Sequence, residues 1–329
     1  MGYYDISKLL TYNRFLNIVI GQRGGGKTYQ AKKLAIKNFI NKGEKFIYLR
    51  RNKSDIKFKG KIEKFFDDMQ EVFPDHELKV EPSGSFKIDN KICGYYIALS
   101  TAQNYKSTPF NDVTLIVFDE FIIDKSYMHY IPNEVINFLE FISTVVRKRS
   151  NVKVIMLSNA ITVSNPYFTY FNIEYKRGAK FQKFGKQIVI EFYSDDNFAR
   201  EMYETPFGQL IKGTTYGSYA VENNFLQDTD TFIKKKTGNC LIFFNLKVDN
   251  NNTYGIWRDE SNNIYYVSKD YVKNYAVNYS ASTKVHNEHF ELINSMNYRF
   301  RVFRNSYYNG RVFFESIKIK NEILEIFKI

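Results

Sequence analysis

Residues 21–28 carry the pattern that most constrains this chain. They read Gly-Gln-Arg-Gly-Gly-Gly-Lys-Thr, which fits G-x-x-x-x-G-K-[ST], the phosphate-binding P-loop. The largely apolar run 16–20 precedes the loop and predicts a buried strand, and apolar residues at helical spacing over 31–39 follow it. A strand, a glycine loop and a helix in this order aim backbone N–H groups and the helix dipole at a phosphate chain. An accidental glycine turn is the alternative, and this context argues against it.

The P-loop residues receive individual roles in binding ATP. Lys27 is expected to reach the β- and γ-phosphates, and the Thr28 hydroxyl is expected to bind Mg²⁺. Arg23 is also a candidate cation that acts on the nucleotide of its own subunit. The predicted nucleotide-binding residues of this loop are Gly21, Gln22, Arg23, Gly24, Gly25, Gly26, Lys27 and Thr28.

The run 114–120 is an apolar strand that ends on two carboxylates, Asp119 and Glu120. Mg²⁺ prefers hard oxygen ligands, so Asp119 is predicted to contact the metal and the nucleotide. A carboxylate one residue later suits the group that orients the water attacking the γ-phosphate. A strand that ends in Asp-Glu is common, but together with a P-loop it predicts ATP hydrolysis.

Further polar residues are candidates for the same site. Asn159 follows the apolar strand 152–157, where an amide can sense the γ-phosphate or hold the water, unless it belongs to an ordinary turn. Arg147 and Arg149 end the preceding helix. They are either partners of the helix dipole or an arginine finger directed at the ATP of a neighbouring subunit. Lys106 is a weaker candidate of that kind.

The segment 50–61 is dense in cations, among them Lys53, Lys57 and Lys59. Such a loop is either a solvated face or, in a ring motor, a surface that grips DNA phosphates. Residues 52–55 also match the N-K-x-D guanine pattern of GTPases. In those proteins the pattern follows the Mg²⁺-binding aspartate, whereas here it precedes Asp119, so ATP is the expected nucleotide.

Composition narrows the class of partner. The chain has 329 residues, with 47 Lys and Arg against 35 Asp and Glu, a net charge of +12. This excess favours a polyanionic partner, most often nucleic acid. No apolar run reaches the roughly 18 residues of a membrane span, and no secretory signal is expected. Cys93 and Cys240 are expected to be buried free thiols in a reducing compartment.

The order of predicted elements indicates two domains and a connection. Residues 1–199 alternate strands and helices, which predicts an α/β domain with a parallel sheet and includes a helix near 62–69. Residues 200–230 are expected to form a linker subdomain. Residues 231–329 are expected to form a smaller α+β domain that starts with three antiparallel strands, followed by a helix near 286–296 and a terminal amphipathic helix.

Several runs are not generic to P-loop proteins, and together they resemble one family. The runs are 17–21, 46–51, 73–78, 116–121, 130–135, 157–160 and 165–168. They resemble the encapsidation ATPases of small short-tailed bacteriophages, the DNA-packaging motors of picovirus-type phages. The resemblance covers most of the first 200 residues and continues more thinly through 208–225 and 255–257.

This resemblance implies a P-loop NTPase of the additional-strand, catalytic-glutamate class. It implies a homo-oligomeric ring, expected to be a pentamer, in the host cytoplasm and transiently at the portal of an empty capsid, where it drives double-stranded DNA inward. By position, Glu120 is similar to the catalytic glutamate, Arg147 to a trans-acting finger and Lys106 to a second trans-acting contact. Lys53 and its loop are similar to the DNA grip. Whether a structural packaging RNA joins motor and portal is left open.

The resemblance also implies that the second domain is ribonuclease-H-like but without nuclease activity. A two-metal nuclease of this kind needs carboxylates on facing strands, and the strand 240–247 has none at its middle. Cleavage of DNA is therefore not expected, which separates this chain from the large terminases. Two other functions remain open: a nucleotide-dependent module that binds nucleic acid or the portal, and a helicase-like or DNA-partitioning ATPase.

Overall fold

The structure is a computed structural model that describes residues 4–123, 130–160, 165–173, 179–222, 232–294 and 296–327. The chain divides into two compact units, residues 1–226 and 227–329. Within the segment expected to be a linker subdomain, the described part ends at residue 222 and is helical, and it belongs to the first unit. None of the described helices combines the length and the apolar composition that a membrane span requires.

The first unit is built on a nine-stranded sheet. Its strands are β1 Leu16–Gly21, β2 Lys45–Arg50, β3 Leu78–Glu81, β4 Ser85–Ile88, β5 Lys91–Ala98, β6 Val113–Asp119, β7 Lys153–Asn159, β8 Phe181–Phe184 and β9 Ile188–Tyr193. Its helices are α1 Ser7–Leu10, α2 Lys27–Lys42, α3 Glu134–Val146, α4 Pro166–Tyr170, α5 Asp196–Glu204, α6 Pro206–Ile211 and α7 Thr215–Ala220. Short 3₁₀ helices span Lys53–Ile56, Ile62–Lys64 and Leu99–Tyr105.

The strand order is β3-β4-β5-β2-β6-β7-β1-β9-β8. Six neighbouring strands, in the order β5-β2-β6-β7-β1-β9, run parallel, and antiparallel pairs form both edges of the sheet. The predicted α/β fold with a parallel sheet is therefore confirmed. β7 lies between the P-loop strand β1 and β6. The carboxyl ends of β1, β2, β6 and β7 consequently meet at one edge, which collects the residues that follow each strand.

Both faces of the sheet are buried, which explains why its central strands read as continuous apolar runs. Successive residues of β1 enter different cores: Ile18 and Ile20 pack on the side of α3, and Val19 packs on the side of α2. Helix α3 buries Val135, Phe138, Phe141, Ile142 and Val145 against the first of these faces.

The prediction of a helix near 62–69 is wrong, because this segment forms a single 3₁₀ turn at Ile62–Lys64 followed by irregular turns. The apolar residues of this segment are buried, but aromatic packing holds them. The Phe65 ring stacks 4.4 Å from Phe86 and also contacts Tyr48 and Phe66. A cluster of rings buries these side chains without requiring a regular helix.

The second unit contains a six-stranded sheet in the order β14-β13-β10-β11-β12-β15. Its elements are β10 Leu241–Lys247, β11 Thr253–Asp259, β12 Ile264–Ser268, β13 Asn278–Ser280, β14 Glu291–Leu292, α8 Tyr298–Tyr308, β15 Val312–Phe314 and α9 Ile317–Phe327. The three predicted antiparallel strands are present as β10, β11 and β12, and α9 is the predicted terminal helix. Strands β13 and β14 run parallel to β10.

The prediction of a helix near 286–296 is also wrong. This segment holds β14 and a turn in which the Asn287 side-chain oxygen accepts hydrogen bonds from the N–H groups of His289 and Phe290. Such a local side-chain turn competes with helix formation. The helix α8 begins later, after Asn297, whose side chain accepts a hydrogen bond from the N–H of Phe300.

Candidate nucleotide-binding and catalytic site

The P-loop connects the end of β1 to the first residue of α2. Gly24 and Gly26 have φ values of 80° and 85°, a left-handed conformation that favours glycine. Lys27 and Thr28 are the first two residues of α2, so they lie at the positive end of that helix. Arg23 in the same loop is exposed. This geometry suits an anion at the start of α2.

The Lys27 ammonium is held by three neutral acceptors. It donates to the Gly21 carbonyl at 3.0 Å, the Gln22 carbonyl at 2.6 Å and the Asn159 side-chain oxygen at 3.2 Å. Burial lowers the pKa of Lys27 to about 8, although the nearby Asp119 carboxylate opposes this shift. Because hydrogen bonds between charged groups are stronger than those to carbonyls, a phosphate is a better partner for this ammonium than the acceptors it has.

Asp119 lies opposite Thr28 at the same sheet edge. The Thr28 hydroxyl donates to Asp119 Oδ2 at 3.0 Å, and the Tyr48 hydroxyl donates to the same oxygen at 2.8 Å. The other oxygen, Oδ1, accepts a hydrogen bond from the Glu120 N–H at 3.0 Å. Burial, with a contribution from the Asp119 charge, raises the pKa of Tyr48 well above its ordinary value, so Tyr48 remains a donor.

These ligand types fit Mg²⁺ bound together with a nucleotide. A hydroxyl and a carboxylate oxygen, 3.0 Å apart, are the hard donors that Mg²⁺ takes from a protein when phosphates and waters supply the rest. In the described part of the chain, no group of three or more His, Cys, Asp or Glu side chains forms a dedicated metal cluster. Thr28 and Asp119 are described residues whose oxygen atoms could hold such a metal.

Glu120 follows Asp119 in a left-handed conformation, with φ of 56°. A non-glycine residue in this region stores strain of roughly 1–3 kcal/mol, which commonly marks a functional site. Its side chain is 59% exposed, and its carboxylate forms an ion pair with the Arg50 guanidinium. Arg50 is also 3.9 Å from Asp119 Oδ2. Arg50 therefore lies beside both candidate carboxylates, whereas the sequence alone places it only in a cationic segment.

A cavity of about 490 Å³ opens beside these carboxylates. Its lining includes Thr28, Arg50, Asp55, Lys61, Asp119 and Glu120. The cation-rich loop therefore begins where β2 ends and shares a cavity with the candidate catalytic residues. Lys53, Lys57 and Lys59 of that loop are exposed.

The candidate trans-acting cations lie on and around α3. Arg147 follows the last residue of the helix, is exposed, has φ of 50°, and its guanidinium forms no hydrogen bond or ion pair with a described residue. Lys106 is exposed and pairs with Glu140 of α3 at 3.2 Å. Arg149 instead donates to the carbonyls of Phe110, Asn111 and Val113, at 2.6–3.0 Å, and to that of Val145. Arg149 therefore stabilises the fold through these carbonyls, whereas the Arg147 side chain is exposed.

Gln22 connects the P-loop to the helices that follow the sheet. Its buried side chain donates to the carbonyls of Val221 at 2.6 Å and Asp195 at 3.1 Å, and accepts from the Asp195 N–H at 2.8 Å. The P-loop pattern predicts that Gln22 binds the nucleotide, but its side chain is committed to these backbone groups. Its backbone carbonyl remains a contact of Lys27.

Known proteins resemble this chain along its whole length. The sequence profile of the family described as podovirus DNA encapsidation protein (Gp16) matches residues 1–329. The DNA packaging protein of Bacillus phage phi29 is 38% identical over 328 residues, which cover 99% of this chain and 97% of that protein.

Two solved phi29 structures are also similar. A chain of the bacteriophage phi29 viral genome packaging motor assembly has 37% identity and a TM-score of 0.79, over 99% of this chain and 98% of that chain. The crystal structure of the N-terminal domain of the phi29 DNA packaging ATPase has 44% identity and a TM-score of 0.54, over 58% of this chain and 96% of that chain.

Proposed function

The chain belongs to the podovirus DNA encapsidation protein (Gp16) family and is a DNA-packaging motor ATPase, and we propose which of its residues perform each step. The observation that carries the proposal is the convergence of Lys27, Thr28, Asp119, Glu120 and Asn159 at the carboxyl edge of neighbouring parallel strands. This set contains a phosphate-binding cation, ligands for a metal and a carboxylate for water, which are the parts that phosphoryl transfer requires.

Lys27 and the P-loop backbone hold the β- and γ-phosphates of ATP, and Asn159 contacts the same lysine and reports on the γ-phosphate. Thr28 and Asp119 hold Mg²⁺. Neutralisation of phosphate charge is the contribution of this metal when it is bound. Glu120 orients the attacking water and accepts its proton. Arg50 pairs with one oxygen of the Glu120 carboxylate and helps to hold that side chain in place.

The placement of β7 between β1 and β6 supports membership of the additional-strand, catalytic-glutamate class. The partial order β12-β11-β10-β13-β14, with the first three strands antiparallel and the last two parallel to β10, supports a ribonuclease-H-like second domain. Asn245 lies within β10 where a nuclease carries an acid, so this domain does not cut DNA. We propose domain limits of 1–199, 200–230 and 231–329.

We further propose that the chain works as a homo-oligomeric ring, a pentamer, at the portal of an empty capsid in the host cytoplasm. The exposure of Arg147 supports its role as a finger that reaches the ATP of the next subunit, and Lys106 is a second contact of that kind. The exposed Lys53, Lys57 and Lys59 grip double-stranded DNA through its phosphates. A structural packaging RNA is compatible with the net charge of +12.

A mixing experiment tests the trans-acting site. Arg147→Ala subunits retain their own P-loop, and Lys27→Ala subunits retain their own arginine. If the arginine acts on the neighbouring subunit, mixing the two inactive proteins restores part of the ATPase activity, because some interfaces then pair an intact P-loop with an intact Arg147. Arg147 acting only within its own subunit predicts no restoration.

Lys148→Ala is the matched control for this experiment. Lys148 is exposed next to Arg147, and its loss changes the net charge by the same amount. It is expected to keep nearly full ATPase activity. A Lys148→Ala protein as inactive as Arg147→Ala would mean that general charge at this surface matters and would contradict a specific finger.

A further inference from the structure

Arg51 lies immediately after β2, next to the Arg50 that pairs with Glu120. Unlike Arg50, Arg51 is almost completely enclosed: its side chain is 4% exposed. It forms a two-point ion pair with Glu134, Nε to Oε2 at 2.8 Å and Nη2 to Oε1 at 3.0 Å. Glu134 is the first residue of α3, and its side chain is 1% exposed.

The remaining donors of Arg51 contact the backbone of the catalytic segment. Nη1 donates to the Glu120 carbonyl at 3.2 Å, and Nη2 donates to the Phe121 carbonyl at 2.5 Å. These carbonyls directly follow the left-handed turn at Glu120. On the other side of the turn, the Glu120 N–H donates to Asp119. Arg51 therefore fixes the peptide groups that set the direction in which the Glu120 side chain points.

The partner of Arg51 is itself held firmly. Glu134 accepts hydrogen bonds from the Tyr167 hydroxyl at 2.8 Å and from the Ile131 N–H at 3.0 Å. The Tyr130 ring lies 4.9 Å from the Arg51 guanidinium carbon. Each carboxylate oxygen of Glu134 thus accepts two hydrogen bonds. The Arg51 guanidinium is therefore held by Glu134 while it donates to the backbone carbonyls of Glu120 and Phe121.

We infer that Arg51 is a positioning residue for ATP hydrolysis, acting through the backbone of Glu120 and braced by Glu134. Two consecutive arginines contact different groups of Glu120: Arg50 binds its carboxylate, and Arg51 binds its backbone carbonyl. The inference rests on the proposed role of Glu120 as the residue that orients water. It also connects that residue to the start of α3, the helix that Arg147 follows.

The competing explanation is an ion pair that only stabilises the fold. The test therefore removes both charges together, as Arg51→Met with Glu134→Gln, because deleting one partner leaves an unpaired buried charge. In Glu134→Gln the side-chain carbonyl can accept from the Ile131 N–H, and the amide NH2 group can donate to the Tyr167 hydroxyl oxygen. Arg149→Met is the matched control, since Arg149 also donates to backbone carbonyls of the first unit but none of them belongs to Glu120 or Phe121.

The full-length proteins are compared for kcat, for binding of a fluorescent ATP analogue and for cooperative thermal unfolding. The double variant is expected to lose about 10- to 100-fold in kcat, the cost of a displaced catalytic group. Its affinity for the analogue should stay within about twofold, because no P-loop contact changes. The control should keep kcat within about threefold. A folded double variant with the kcat of the parent overturns the inference.

A second readout separates positioning from general damage. In a Glu120→Gln background, the double variant should lower the residual kcat by less than about twofold, because a residue that acts through Glu120 has nothing left to position. Losses that multiply would overturn the inference. If Glu120→Gln alone keeps full ATPase activity, the proposed role of Glu120 fails instead, so the two failures are distinguishable.

Arg51→Lys covers the case in which the double variant does not fold. It keeps the positive charge opposite Glu134 but lacks the planar fork that contacts both carbonyls. The same loss of kcat at unchanged analogue affinity is expected. A folded Arg51→Lys protein with the kcat of the parent would equally overturn the inference.

Discussion

The two units both place polar side chains on neighbouring parallel strands, but the surroundings of these side chains differ. At the edge formed by β1, β6 and β7, Lys27 is buried against neutral acceptors that a phosphate would replace. In the second unit, Asn245 of β10 donates to the Val272 carbonyl at 2.7 Å and to the Asn278 side chain at 2.8 Å, and accepts from the Val272 N–H.

This contrast distinguishes a reactive site from a structural one. Asn245 is 1% exposed and all its partners are internal, so it has no need of a ligand. Lys27 is buried with a charge that its present partners compensate poorly, and Glu120 is strained and largely exposed. Polar groups that are satisfied internally stabilise a fold, whereas charged groups with weak or exchangeable partners are suited to chemistry.

The largest expected effect is on hydrolysis at the first of these regions. Lys27→Ala or Glu120→Gln should lower kcat for ATP by about 10²–10³-fold or more, because catalysis of phosphoryl transfer is mostly positioning and electrostatic stabilisation. Steady-state phosphate release measures it. The matched control Lys37→Ala removes an exposed lysine of α2 and should be silent. Full activity in Glu120→Gln would remove the assigned role.

The second prediction concerns cleavage by the second unit. Because amides, not carboxylates, occupy the facing strands at Asn245 and Asn278, the protein should leave supercoiled DNA intact with excess Mg²⁺ or Mn²⁺. Gel electrophoresis of the plasmid is the measurement. Cutting that depends on the added metal and survives in the Lys27→Ala protein would contradict the contrast between the two regions.

Asn245→Ala is expected to act on stability alone. Its loss leaves the Val272 carbonyl and N–H without their buried partner, which costs about 2 kcal/mol of the free energy of unfolding. Chemical denaturation measures this cost, and the ATPase activity of the folded protein should be unchanged. Asn251→Ala, at an exposed turn position, is the control. A stable Asn245→Ala protein with lost ATPase activity would assign Asn245 to function.

A triple variant that combines Lys53→Ala, Lys57→Ala and Lys59→Ala should bind DNA more weakly and with a smaller salt dependence. Each lysine that contacts a phosphate releases counterions from the DNA, and the variant has lost these contacts. Removal of three contacts lowers the slope of log affinity against log salt by about 3. A triple variant at Lys37, Lys42 and Lys186, all exposed in the same unit, is the control for net charge. Equal losses in both proteins would mean that the loop is only a solvated face.

The smallest effect is a pH dependence at Lys27. Its pKa in the folded protein is about 8, below the ordinary value, because of burial. The charged form binds phosphate, so kcat/KM for ATP should fall by up to tenfold per unit above about pH 8, while kcat changes less. Deprotonation also removes the free-energy cost of burying this charge. The free energy of unfolding should therefore rise with pH between about pH 8 and the ordinary pKa of lysine. A flat kcat/KM up to about pH 10 would contradict this environment.

Much of the site could be predicted because its signals are local. The P-loop and the Asp119–Glu120 pair each lie within a few residues, and the alternation of strands and helices predicts that their ends meet at one sheet edge. The contacts that control Glu120 are not local. Arg50 and Arg51 reach it only because β2 lies beside β6, and nothing in their own sequence distinguishes them from the lysines that follow.

Other differences have equally specific causes. Arg147 and Arg149 look alike in sequence, and only the carbonyls around Arg149 reveal that it is structural. The commitment of Gln22 to Val221 depends on helices far along the chain. The helix expected near 286–296 is absent because the Asn287 side chain closes a turn. Hydrogen bonds from a side chain to the nearby backbone compete with helix formation, and the spacing of apolar residues gives no sign of them.

The most direct test of the central claim is steady-state ATPase activity measured with and without double-stranded DNA, at low salt and over a range of protein concentrations. A site completed by Arg147 of a neighbouring subunit and coupled to DNA predicts turnover per subunit that rises with protein concentration and with DNA. Turnover per subunit that is indifferent to both would contradict a shared-site motor and would favour a nucleotide-dependent binding module instead.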